Sequence, residues 1–102
     1  MRSRLEFDAK LRELLGSSNV YFQPPESIKL KFPCIIYKRN RIDTRRADDK
    51  FYMGTNCYDV TVISKDPDFP VVDEIIAKFP MCRYDRFFTV DNLNHNTFTI
   101  YY

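Results

Sequence analysis

Apolar positions at the start of the chain recur with a helical period. Phe7, Leu11, Leu14 and Leu15 fall at i, i+4, i+7 and i+8, and Glu6, Asp8, Lys10, Arg12 and Glu13 take the opposite side, so one face is dry and one wet. The spacing predicts a helix over Arg4–Leu15 stopped by Gly16, since glycine readily takes the left-handed conformation that ends helices. The period then changes. Val20-Tyr21-Phe22 is a short apolar run before the QPPES loop, whose paired prolines suit neither helix nor ladder. Phe32–Tyr37 predicts a second strand, with Pro33 at its start, where a missing N–H does least harm. Tyr52–Ser64 alternates most clearly: Tyr58, Val60 and Val62 point one way, and Cys57, Asp59 and Thr61 the other. Lys65–Asp68 breaks that strand and leads to a second helix, with Asp68 as N-cap, Pro70 in the first turn and Pro80 as terminator. Val72, Ile75, Ile76 and Phe79 give its apolar stripe. Cys82–Val90, with Tyr84, Phe88 and Val90 on one face, and Thr97–Tyr102, with Phe98, Ile100 and Tyr102 inward, predict a closing hairpin around the turn Asp91–Asn94.

The element order α-β-β-β-α-β-β predicts an α+β fold, an antiparallel sheet with two helices packed on one face, because one sheet face then buries both helical stripes. The expected buried set is Leu11, Leu15, Ile35, Val60, Val62, Ile75, Ile76, Phe79 and Ile100. All of this fits one domain, residues 1–102, with a projecting basic hairpin at about 38–52 and a flexible tip. A content of 44% hydrophobic and 16% aromatic residues supplies a core and argues against disorder.

Charge sharpens the picture only locally. The formal net charge is +2, yet Lys38–Lys50 holds six basic against three acidic side chains, so this stretch carries +3 and the remainder −1. The segment MRSRLEFDAKLREL is charged throughout, predicting neither a secretory signal nor a membrane span. Cys34, Cys57 and Cys82 are odd in number, far apart and without a CxxC pair, which predicts reduced thiols serving as small core residues.

Catalytic chemistry finds little support in the sequence. His95 lies between two asparagines in what reads as a solvated loop, and two glycines leave no phosphate-binding loop. Asp66 and Asp68 flank Pro67 as turn and cap residues, and Asp48-Asp49 are adjacent positions in a loop, not a held pair. The expectation is no enzyme, no cofactor and no metal.

The stretch YDVTVISKDPDFPVVDEIIAKFPMCRYDRFFTVDNLNHNTFTIYY resembles small neck and tail-completion proteins of long-tailed bacteriophages, and SSNVYFQPPESIKLKFPCIIYKRN is similar to the first sheet segment of that family. The element order is also similar to that of tail-terminator proteins. The resemblance implies a virion protein at the neck, made in the host cytoplasm. It would form a ring with itself, typically of six subunits, that caps the tail tube and offers a surface to head-completion proteins. DNA would pass through the lumen without sequence-specific contact, and no membrane is involved. A ring needs two different patches per subunit. The candidate interface residues are Arg39, Arg41, Arg45, Arg46, Asp48, Asp49 and Lys50 on the hairpin, with Tyr101 and Tyr102 on an aromatic terminal strand read as an exposed sheet edge. The alternatives are another neck or head-completion connector, a nucleic-acid-binding module using the basic hairpin, and a small enzyme using Asp66, Asp68 or His95.

Overall fold

In a computed structural model, the backbone is described for residues 2–47 and 50–102, and side chains for all of these except residues 47 and 50–53. The elements are α1 (Arg4–Leu15), β1 (Val20–Phe22), β2 (Cys34–Ala47), β3 (Lys50–Ser64), α2 (Val71–Lys78), β4 (Cys82–Val90) and β5 (Leu93–Tyr101). This is the expected α+β order. Helix α1 starts where Ser3 Oγ accepts the Leu5 N–H at 3.1 Å, and ends at Gly16, whose φ of 76° lets its N–H reach Arg12 O at 2.8 Å. Arg12 also pairs with Asp8 and donates to the carbonyls of Ser18 and Val20. It thereby ties the helix end to β1.

The five strands form one sheet in the order β1-β2-β3-β5-β4. Antiparallel pairing joins β2, β3, β5 and β4, whereas β1 runs parallel to β2 in the register Val20↔Ile35. The sheet is therefore mixed. The 11-residue connection from β1 to β2 makes the parallel return possible, because a parallel neighbour cannot be reached by a tight turn. Both helices cover the face bearing Ile35, Tyr37, Tyr58, Val60, Val62, Phe98 and Ile100, all buried. Phe7 is the hub of this layer. Its ring stacks on Tyr58 at 4.4 Å and 7°, and meets Tyr37, Phe79 and Tyr102 at 5.5, 5.3 and 5.2 Å.

Five expectations need correction. Strand β5 lies between β3 and β4, so Tyr101 and Tyr102 are not on a sheet edge, and Tyr102 packs in the core. Helix α2 has Pro70 at its N-cap without a side-chain bond. The Asp68 N–H instead donates to Asp66 Oδ1, a turn made by the Asp-Pro-Asp sequence. The buried stripe of α2 is Val71, Ile75 and Phe79, leaving Ile76 46% exposed, and Leu15 is only half-buried. The β4–β5 turn is just Asp91-Asn92, with φ of 52° and 62°. Both residue types tolerate the left-handed region that a two-residue hairpin requires, so β5 begins at Leu93 and His95 is a strand residue. Finally, the β4–β5 register shifts between Tyr84 and Arg86. This bulge puts Tyr84 on the helix side with Phe98, while Phe88 stands opposite His95 on the other face.

Candidate functional site

The basic segment is not a loop. Strands β2 and β3 continue through it as a ladder out to Ala47↔Lys50. The last residue of β3 to pair with β5 is Cys57, opposite Tyr101. Beyond that point the only strand pairing among the described residues is between β2 and β3, and Arg41–Arg46 are all exposed. The six residue steps from Arg41 to Ala47 span about 20 Å, and they stretch the molecule to 52 × 29 × 23 Å. A lone two-stranded ribbon is marginally stable in water. This arm has two open edges. The Arg39 N–H still reaches Gln23 Oε1 and Asn56 O still accepts from the Tyr102 N–H, but Arg41–Ala47 on one side and Lys50–Thr55 on the other have no backbone partner outside the hairpin among the described residues. Of the flexible tip expected from the sequence, the part at Asp48 and Asp49 lies outside the described residues, as does the side chain of Lys50.

A register shift between Arg39 and Arg41 places Asn40 as an extra residue, where its Nδ2 reaches the Asp59 carboxylate at 3.2 Å. The bulge turns the arginines to different faces. Arg39 lies over the Tyr58 ring at 5.9 Å, on the helix-covered face. Arg41 lies on the opposite face, donates to the Tyr101 hydroxyl, and pairs with Asp43 at 2.8 Å. Hydrogen bonding to Asp43, then its charge, raises the Arg41 pKa further. Arg45 follows on the same face as Arg41 and Asp43, and a second shift precedes Arg46. The structure thus brings Arg41, Asp43, Arg45 and Tyr101 to one side of the arm and separates them from Arg39. At the base of that side, Asp43, Arg45, Thr55, Met81 and Tyr101 line a cavity of about 430 Å³. The Asn40 bulge, which decides this grouping, has no signature in a polar run such as RNRIDTRR.

The remaining chemical candidates are held in structural roles. Burial pushes the Cys34 thiol up to about 11, and burial is also the largest influence raising Cys57 and Cys82. Thiols so shifted are weak nucleophiles at neutral pH. His95 stacks on Phe88 at 4.7 Å, with Nδ1 3.1 Å from Leu93 O. Among the described residues, no group of three or more His, Cys, Asp or Glu side chains is placed to hold a metal ion, and no helix is long and apolar enough to cross a membrane. Tyr37, buried under α1, donates to Asp8 and accepts from Arg4 Nη1 at 3.1 Å. Burial foremost, with the Asp8 bond, raises its pKa. This joint links helix to sheet. No family model matches the chain, and no curated protein matches it either.

Proposed function

We propose that the chain is a structural subunit of a phage neck, a tail-terminator-like protein that assembles with its own copies into a ring joining tail tube to head. The observation that carries the reading is the arm. It is a two-stranded ladder whose outer edges are open among the described residues, an element suited to gaining partners outside its own domain. Half-exposed pairs such as Arg41–Asp43 contribute little in solvent, and arginine–carboxylate pairs strengthen when a neighbour desolvates them. A nucleic-acid track is less well supported, because Asp43 interrupts the basic face between Arg41 and Arg45.

The test is Arg45→Glu with Arg46→Glu. Both residues are exposed, so unfolding free energy should stay within about 0.5 kcal/mol of the parent. Particle assembly, followed by infectious titre and electron microscopy, should stop with heads and tails unjoined. Normal titres from the double variant would refute the role of the arm. Salt-sensitive binding of arbitrary DNA, lost in the variant, would instead establish the nucleic-acid reading.

A further inference from the structure

The two ends of α2 carry opposite charge, and each end opens into a cavity. At the C-terminal end, Arg2, Lys10 and Lys78 line a cavity of about 240 Å³ together with Thr55, Met81 and Tyr102, and no carboxylate side chain lines it. At the N-terminal end, Asp68 and Asp73 line a cavity of about 190 Å³ with Phe69, Val72 and Asn96, and no cation lines it. None of these five charged groups has an opposite charge within salt-bridge reach among the described residues. The helix dipole accounts for Asp73 in the first turn and Lys78 in the last. It does not account for Arg2 and Lys10, which come from the N-terminal segment and from α1. Both lie 4.8 Å from the centroid of the single Tyr102 ring, so their charges are at most twice that distance apart. The ring face attracts both cations, and with Lys78 they leave the cavity a positive charge that an anionic group entering it would offset.

Resting on the ring reading above, we infer that neighbouring copies meet along α2, the acidic end of one subunit entering the basic cavity of the next. The occupant is a second copy because this chain itself presents the complementary surface. Asp68 and Asp73 are exposed beside half-buried Phe69 and Val72, and they match a cavity whose cations border Met81, itself 60% exposed. Two unlike patches on one subunit make a heterologous contact, the kind that forms a ring when its rotation closes. An eight-residue helix holds the patches about 12 Å apart, too far for a subunit to pair them with each other.

Two charge reversals test this, read by light scattering at a concentration where the parent assembles, with circular dichroism melts to confirm folding. Lys10→Glu with Lys78→Glu makes both ends acidic, and Asp68→Lys with Asp73→Lys makes both basic. Each variant alone should be monomeric. An equimolar mixture should recover assemblies, with the two variants alternating and therefore an even number of subunits. Assembly of either variant alone at the parent's concentration dependence overturns the contact while leaving the ring reading intact. Folded variants that stay monomeric when mixed also overturn it. A parent chain that remains monomeric up to millimolar concentration overturns the ring reading and this contact together.

Discussion

Replacing Phe7 by Ala removes the ring on which α1, α2 and the sheet converge. Phe7 has no exposed surface and touches four other rings, one of them stacked at 4.4 Å. Burial and cavity terms for a Phe→Ala change in a closed core come to about 3–5 kcal/mol. The aromatic pairs place this site at the upper end, since each contributes about 0.5–1.5 kcal/mol beyond area. A domain of this length holds roughly 5–15 kcal/mol in total, so a loss of about 4–5 kcal/mol is a large fraction of it. In urea, with a slope near 1.5 kcal/mol per molar, the midpoint should fall by about 3 M at constant slope. The paired control is Ile76→Ala. By periodicity it belongs to the core, but its exposure of 46% limits the expected loss to about 0.5 kcal/mol. A Phe7→Ala midpoint shift below about 0.5 M, or an Ile76→Ala loss as large as that of Phe7→Ala, would refute the packing described.

Three further outcomes follow from single groups. The Tyr58 hydroxyl is buried without a partner among the described residues, so Tyr58→Phe should be neutral or stabilise by up to about 1 kcal/mol in the same urea assay; a loss above that would mean the hydroxyl is bonded in solution. Asp8→Ala strips the Tyr37 hydroxyl of its acceptor and frees Arg12, and chemical unfolding should show a loss of about 1–3 kcal/mol, with a loss near zero counting against that joint. Cys34 has its pKa raised in the fold from 9.0 to about 11. Its contribution is complete below pH 9 and lost as pH rises through 11, so the parent should lose about 2 kcal/mol more than Cys34→Ala across that window. Parallel pH profiles for the two chains would contradict the shift.

The element order was legible because each segment shows its period over enough residues. Helix α1 and the Tyr58-Val60-Val62 alternation place the core face directly. What was not legible depended on single-residue events or on pairing at a distance. For a two-turn helix, Val71-Ile75-Phe79 and Val72-Ile76-Phe79 are nearly equal stripes, and only contact with Phe7 and the sheet selects the first. The bulges after Arg39 and Tyr84 reverse every later side chain, yet neither changes local composition. In the candidate site, the charge of the basic segment was visible, but its division between two faces was not. The cavity joining Arg2 and Lys10 to Lys78 gathers residues from opposite ends of the chain, beyond the reach of any spacing argument.

The placement of β5 between β3 and β4 also sets a timetable for synthesis. It is the last of the five strands to be made, yet the sheet closes around it. Between Ser64 and Tyr101 a ribosome adding about 5–20 residues per second spends roughly 2 to 7 seconds. Throughout that interval the emerged part of β3 shows a bare apolar edge from Cys57 to Ser64, and β4 has no neighbour to pair with. Nascent chains on one messenger therefore hold matching unpaired edges within reach of one another, and β5 must outpace them. A stop codon or a stall after β4 and before Leu93 would yield a fragment with two sticky edges, not a smaller folded protein.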